Sequence, residues 1–208
     1  MEIEITVLTV GPIQTNCYIV NQKGKTSCFV VDPGEEAQKI AARIEKMGLK
    51  NEAILLTHGH FDHISGVKEL VSLVGGTVYA LDAERELLMN PQLNASDMMG
   101  GGVGLEPDVF LRDGQCIEVA QIPLRVIHTP GHTAGGCCYY QEESRILFSG
   151  DTVFMESVGR TDFPTGNSRQ LLDSLRNKIL TLPSDVVIYP GHGPDTSVEY
   201  EMANNPYA

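Results

Sequence analysis

Four short apolar segments of the chain each end in a polar turn that contains histidine or aspartate. They are AILLTHGHFDH at 53–63, LRVIHTPGHT at 124–133, ILFSGD at 146–151 and VVIYPGHG at 186–193. Each apolar run has the length of a buried strand, and the glycine in each turn allows backbone and side chain to come close to a bound ion. We therefore expect these strand ends to meet at one rim of the fold.

The order of the predicted elements favours two packed sheets with helices on the outside. In the first half, three strand-like runs precede an amphipathic helix in GEEAQKIAARIEKMG, and a second helix is predicted from Ile64 to Val74. In the second half, four strand-like runs precede a helix in NSRQLLDSLRNKILTL that has an Asn or Ser cap. Because no linker separates the halves, we predict one α/β domain over residues 1–208.

Composition narrows the classes of partner and compartment. Fifteen basic residues against twenty-seven acidic ones give a formal charge of −12, which disfavours nucleic acid and anionic membranes as partners. The N-terminal MEIEITVLTV alternates like a strand and does not resemble a signal peptide, and no apolar run is long enough for a membrane span. The five cysteines form no C-x-x-C pair and are predicted to be buried free thiols. We expect a cytoplasmic protein.

The histidine-rich segment THGHFDH has the spacing of a metal-binding loop. His58 and His60 are separated by one residue, so in an extended segment both imidazoles point to the same side and can share one ion. Asp62 and His63 follow where the chain turns into a helix, so their side chains should point in a different direction from those of His58 and His60. One loop can therefore serve two adjacent metal sites.

Two ions need further ligands, and the other strand ends supply them. His132, Asp151 and His192 each follow an apolar run, and a carboxylate such as Asp151 can bridge two ions. Histidine and carboxylate ligands without cysteine suit Zn²⁺, Mn²⁺ or Fe, and open sites of this kind are catalytic. Two ions that share a water lower its pKa to about 7, which produces a hydroxide nucleophile at neutral pH.

The order of the motifs THGHFDH, TPGHTAGG, FSGDT and YPGHGP resembles the metallo-β-lactamase superfamily. VDPG at 31–34 and the C-terminal GHGPDTSVEYEMANNPY are similar to the small glyoxalase II-like hydrolases of that superfamily. The resemblance implies an αββα four-layer sandwich with a metal site, most often of zinc, at one edge. It also implies that one ion is held by His58, His60 and His132, a second by Asp62, His63 and His192, with Asp151 as the bridge and Asp62 also orienting the nucleophilic water.

The resemblance implies hydrolysis of a small thioester of the S-lactoylglutathione type by a metal-bridging hydroxide that attacks the carbonyl. Esters, lactones and lactams are the other substrates of the family, and a lactone is an alternative here. Full-length glyoxalase II enzymes carry a further C-terminal helical region with basic contacts to glutathione. The sequence after YPGHGP does not match that region, so we do not expect a strict requirement for glutathione.

A second resemblance leads to a different reaction class. SVGRTDF at 157–163 is similar to a segment of persulfide dioxygenases, which are iron oxygenases of the same fold. Those enzymes use a single Fe, and the equivalent ligands here are His58, His132 and Asp151. The number of bound ions therefore distinguishes the two activities.

Two further polar residues have open roles. Arg160 could bind a substrate carboxylate, or it could hold its own loop through Asp162. His128, four residues before His132, is expected to be a strand residue or a hydrogen-bonding neighbour of a ligand, not a ligand itself.

Overall fold

The computed structural model describes residues 1–98 and 100–208 and contains two six-stranded sheets and a small ribbon. The first sheet has its strands in chain order: β1 (Ile3–Val10), β2 (Thr15–Gln22), β3 (Ser27–Val31), β4 (Lys50–Leu55), β5 (Thr77–Leu81) and β6 (Val109–Leu111). The second sheet contains β7 (Cys116–Val119), β8 (Ile122–His128), β9 (Cys137–Gln141), β10 (Ile146–Gly150), β13 (Val187–Pro190) and β14 (Thr196–Ser197). Its spatial order is β14-β13-β10-β9-β8-β7, and the ribbon pairs β11 (Val153–Phe154) with β12 (Ser157–Val158).

Helices cover the outer face of each sheet. They are α1 (Ala37–Lys46), α2 (Phe61–Ile64), α3 (Val67–Val74), α4 (Arg85–Met89), α5 (Ser168–Ser174) and α6 (Val198–Asn204). A 3₁₀ turn at Asp82–Glu84 precedes α4, and a π-helical turn at Leu175–Ile179 continues α5. The predicted cap of this last helix is Asn167, whose side chain accepts a hydrogen bond from the backbone of Gln170.

Alternating side chains in the strands build three apolar layers. In β3, Phe29 and Val31 pack between the two sheets, whereas Cys28 and Val30 face α1 and α3. Leu147 of β10 packs on the other side of the second sheet, against the turn that continues α5. Since each sheet is covered on both faces, the layers are helix, sheet, sheet and helix. The predicted αββα sandwich of the α/β class is confirmed.

The helix predicted from Ile64 to Val74 is interrupted in the structure. The short helix α2 ends at Ile64, where the predicted helix begins, and α3 begins at Val67. Between them the backbone N–H of Gly66 donates to the carbonyl oxygens of Pro33 and Gly34, at 3.1 and 2.8 Å. A side chain at Gly66 would lie 2.6 Å from the Pro33 oxygen, so the chain can approach this closely only with glycine.

The cysteines follow their positions in the sheets. Cys17, Cys28, Cys137 and Cys138 are buried, and all five cysteines are free thiols. Cys116 is exposed, contrary to the expectation of buried thiols, because it lies in the edge strand β7. Among the described residues, no helix combines the length and apolar character needed to cross a membrane.

Parallel strand pairs bring the histidine-bearing turns to one edge of the sandwich. β3 pairs with β4 in parallel in the first sheet, and β10 pairs with β13 in parallel in the second. β8 and β10 are each antiparallel to β9, so β8 has the same direction as β10. Their carboxyl ends therefore lie on the same side of the fold, where ligands bind to many α/β proteins.

Candidate metal centre

The loop after β4 presents the first histidines. His58 and His60 lie between β4 and α2, and His60 is the extended residue immediately before the first turn of α2. Both imidazoles are almost completely buried, at 2% and 4% exposure. The side-chain hydroxyl of Thr57 lies 3.1 Å from His58 Nδ1, which turns the Nε2 atom of His58 away from the loop.

Three histidines form the first triad, defined here as His58, His60 and His132. Their ring centroids lie 4.6 to 4.9 Å apart, and His60 Nδ1 lies 2.9 Å from His132 Nε2. One nitrogen from each ring lies within 4.8 Å of the other two. His132 Nδ1 donates to the backbone oxygen of Arg160 at 2.7 Å, so Nε2 is the atom that faces the other two histidines.

Asp62, His63 and His192 form the second triad beside the first. His192 Nε2 lies 3.2 Å from Asp62 Oδ2 and 3.4 Å from His63 Nε2. One ligand atom from each residue again lies within 4.8 Å of the other two. Asp62 and His63 belong to α2, and this turn of helix places both beside His192, in a different triad from His58 and His60.

Asp151 lies between the two triads. Its Oδ1 is 3.4 Å from His63 Nε2, and its Oδ2 is 3.5 Å from His132 Nε2 and 3.6 Å from His192 Nε2. A side chain at Gly191 would lie 2.1 Å from Asp151 Oδ1, so glycine is needed for the last histidine loop to come this close. The structure thus brings together all seven predicted ligands, and their roles in metal binding remain a prediction.

The unpaired polar atoms of the site fit metal ligands. His58 Nε2, His60 Nε2 and Asp151 Oδ1 are buried and have no hydrogen-bond partner within the described part of the chain. Buried polar atoms are nearly always paired, because an unpaired one loses its hydration without compensation. His58 Nε2 and Asp151 Oδ1 are available as ligand atoms, whereas His60 presents Nδ1 to His132; imidazole nitrogen and carboxylate oxygen suit zinc, iron or manganese. The His/Asp cluster therefore fits divalent metal ions.

The two triads differ in their protonation. Burial and the neighbouring imidazoles hold the pKa of His58 well below its ordinary value, and burial with the charge of His132 lowers the pKa of His60 to about 3. Burial also opposes the charge of His63, but Asp62, Asp151 and Asp32 outweigh it and raise the pKa of His63 to about 10. His58 and His60 are thus neutral at pH 7, whereas the second triad contains histidine–carboxylate ion pairs.

Asp32 supports the second triad and was not predicted as a site residue. Its Oδ2 lies 3.0 Å from His63 Nδ1, and its two oxygens accept hydrogen bonds from the backbone and hydroxyl groups of Thr57. Asp32 is 1% exposed and follows β3 directly. A carboxylate on the far nitrogen of a metal-binding histidine fixes the ring and its tautomer. The signal in the sequence is VDPG, an aspartate at the end of a buried strand.

Arg160 is occupied by its own loop. Its Nε and Nη2 atoms donate to the two carboxylate oxygens of Asp162, each at 2.7 Å, and its guanidinium stacks 3.8 Å from the centre of the Phe163 ring. This is the second of the two roles expected for Arg160. His128 ends β8, and its Nε2 lies 2.9 Å from the backbone oxygen of Ala134, so it takes no part in either triad.

Two aromatic rings flank the site. Phe163 packs edge-on against His60 with ring centroids 5.6 Å apart, and Phe154 packs against His192 at 6.0 Å. Both phenylalanines are partly exposed. They form apolar walls that hold His60 and His192 in place and can contact an apolar part of a substrate.

A family model confirms the resemblance in the motifs. The model of the metallo-β-lactamase superfamily matches residues 10–192. This chain belongs to the metallo-β-lactamase superfamily. The matched range contains both triads and Asp151, so the superfamily's fold and the His/Asp cluster coincide in this chain.

Individual members of the superfamily resemble the chain over nearly its whole length. The probable metallo-hydrolase YqgX of Bacillus subtilis (strain 168) is 38% identical over 96% of this chain and 95% of its own. Hydroxyacylglutathione hydrolase GloC of Haemophilus influenzae (strain ATCC 51907 / DSM 11121 / KW20 / Rd) is 31% identical, with 98% and 97% covered.

Two crystal structures show the same fold. BLEG-1 B3 metallo-β-lactamase has a TM-score of 0.93 at 37% identity and covers 98% of this chain and 99% of its own. TTHA1623 in a di-iron-bound form has a TM-score of 0.87 at 35% identity, with 98% and 100% covered.

Proposed function

We propose that this protein is a binuclear metal-dependent hydrolase of small thioesters, similar to hydroxyacylglutathione hydrolases. The observation that carries the proposal is the position of Asp151, whose carboxylate lies within 3.6 Å of histidines from both triads. Each triad also offers three ligand atoms within 4.8 Å of one another, which supports two ions over one. In the proposed site, the first triad would hold one ion and the second triad the other, with the Asp151 carboxylate available to both.

The bound ions would supply Lewis acidity, which polarises a carbonyl oxygen and makes water more acidic. We propose zinc, with iron or manganese as the alternatives. A di-iron-bound form is known for TTHA1623, and the ligand set here is chemically suited to each of the three metals.

We propose that Asp62 orients the water, because its carboxylate is held in a fixed direction. Its Oδ2 accepts a hydrogen bond from the Thr15 hydroxyl at 2.9 Å and lies 3.2 Å from His192 Nε2. Although burial opposes its charge, the charge of His63 and the hydrogen bonds of His192 and Thr15 hold the pKa of Asp62 well below its ordinary value. The carboxylate therefore stays ionised at neutral pH, fixed in direction, with 12% of the side chain exposed towards the entrance.

The leaving group favours a thioester over an amide-like substrate. A thiolate leaves with little help from a general acid, because a thiol has a much lower pKa than an amine or an alcohol. The partly exposed rings of Phe154 and Phe163 provide apolar contacts for the substrate next to His192 and His60. Hydroxyacylglutathione hydrolase GloC, which is similar over nearly the whole chain, supports this choice of acyl substrate.

The proposal is tested by turnover and metal content measured on the same protein sample. The substrates are S-lactoylglutathione, a thioester without glutathione, a lactone and a β-lactam. We expect thioester hydrolysis to be fastest, to stop after chelation and to return when metal is added. The β-lactam covers the reaction named for BLEG-1. One Fe per chain with oxygen consumption on a persulfide would instead establish the dioxygenase activity and contradict the proposal.

A further inference from the structure

We propose that Glu84 is a positioning residue that fastens the two separate loops of the first triad to each other. This inference rests on the proposed metal centre but not on the identity of its substrate. Glu84 is 1% exposed and ends the 3₁₀ turn Asp82–Glu84 that follows β5. It lies outside both triads, and the mechanism above does not use it.

Each carboxylate oxygen of Glu84 binds a different histidine loop. Oε1 accepts a hydrogen bond from the backbone N–H of Gly59 at 2.9 Å, and Oε2 accepts one from the backbone N–H of Gly135 at 2.7 Å. Gly59 stands between His58 and His60, and Gly135 is three residues after His132. A single side chain thus connects the loop of the first sheet to the loop of the second.

The glycines allow this close approach. A side chain at Gly135 would lie 2.2 Å from the backbone nitrogen of Glu84, and one at Gly59 would lie 2.8 Å from Leu87 and 2.9 Å from Leu88 of α4. The turn at Glu84 and the first residues of α4 therefore fill the space behind the first triad. With glycine at both positions, the backbone amides can reach the carboxylate directly.

The chemistry of the contact requires a carboxylate. Two N–H donors on opposite sides need two acceptor oxygens, and the Glu84 carboxyl group supplies one to each, although burial raises its pKa to about 7. Glutamine has the same shape but would direct an NH₂ donor at one of the two N–H groups. By holding the loops at this spacing, Glu84 keeps His60 and His132 close enough to share an ion, since their nitrogens lie 2.9 Å apart.

Glu201 offers a matched control for the loss of a buried carboxylate. It is fully buried and accepts hydrogen bonds from the Thr196 hydroxyl, the Glu156 backbone and the Asn205 amide. These partners lie in the ribbon and the C-terminal elements, not in the two loops that Glu84 connects. Glu201→Gln therefore changes a comparable buried carboxyl group without touching the first triad.

The experiment compares the metal affinity of Glu84→Gln, Glu201→Gln and the wild type, each as the full chain. Two dissociation constants for Co²⁺ are measured by competition with a chromophoric chelator, and the visible Co²⁺ absorption reports the ligand geometry. We expect Glu84→Gln to raise one constant by about tenfold or more and to alter the absorption bands. We expect Glu201→Gln to leave both constants within about twofold of the wild type.

Two results would overturn the inference: wild-type Co²⁺ affinity in Glu84→Gln, or an equal loss of affinity in Glu201→Gln. If Glu84→Gln does not fold, hydrogen exchange of the wild-type chain decides. We expect the Gly59 and Gly135 amides to exchange slowly before and after metal loading, because Glu84 holds both. Exchange of either amide at the rate of an unprotected peptide would contradict the role of Glu84.

Discussion

The first and second triads, which are the two halves of the metal centre, differ in charge although they lie side by side. In the first triad, burial lowers the pKa of His58 and His60, so both are neutral at pH 7. The second pairs two histidines with Asp62, and the pKa of His63 and of His192 is raised by the nearby carboxylates, against the effect of burial. A metal ion therefore meets free lone pairs in the first half but must displace protons in the second.

The largest effect is expected from removing the residue that joins the halves. Asp151→Ala should lower thioester turnover on the order of 10³-fold, because the bridge between the ions and several kcal/mol of charge stabilisation are lost. Turnover and metal equivalents per chain are measured together. Asp185→Ala is the control, since that aspartate is 70% exposed and its ion pair with Arg145 lies at the surface. Unchanged turnover in Asp151→Ala would refute the bridging role.

Asp32→Asn should affect the second half selectively. The asparagine keeps the size of the side chain, but it loses the negative charge beside His63 Nδ1. We expect metal affinity of the second half, and turnover, to fall by about 10 to 100-fold. Equilibrium titration with Co²⁺ measures this, and equal weakening of both ions would show that Asp32 does not distinguish the halves.

The pH dependence of metal binding should separate the halves as well. The pKa of His63 is about 10, so below that pH an entering ion must displace its proton. For each proton released, affinity for the second ion should therefore fall about tenfold for every unit by which the pH is lowered. The pKa of His60 is about 3, so affinity for the first ion should change little above pH 6. Zn²⁺ titrations from pH 6 to 8 test this, and parallel pH slopes for the two ions would contradict it.

The smallest effect is expected at the entrance. Arg160→Ala removes an exposed ion pair with Asp162 and the stacking on Phe163, neither of which belongs to a triad. Because exposed pairs contribute little, we expect a change in kcat/KM of about threefold or less. A loss of 100-fold or more for S-lactoylglutathione alone, with a glutathione-free thioester unaffected, would instead assign Arg160 to a substrate carboxylate.

The sequence predicts the fold and the cluster from the same pattern. Strand-like runs that end in His58, His132, Asp151 and His192 require their ends to meet, and the sandwich brings them to one edge. The uninterrupted apolar run of β3, SCFVV, is typical of a strand in a sheet that is covered on both faces.

The supporting residues could not be derived in this way. Asp32 and Glu84 are two of twenty-seven acidic residues; VDPG places Asp32 at a strand end, but no periodicity shows which groups either carboxylate contacts. Their roles depend on the pairing of β3 with β4 and on a turn that contacts Gly59 and Gly135, which are distant in sequence. The interruption of the helix after Ile64 could not be predicted for the same reason. It depends on hydrogen bonds from Gly66 to Pro33 and Gly34, which are distant in the sequence.

The central claim is that two ions act together on a thioester. The most direct measurement is a titration of chelator-treated protein with Zn²⁺, in which thioester turnover is followed against metal equivalents per chain. We expect turnover to rise steeply only as the second equivalent binds, because Asp62, His63 and His192 must be filled beside the first triad. Full turnover at one equivalent per chain would contradict the account.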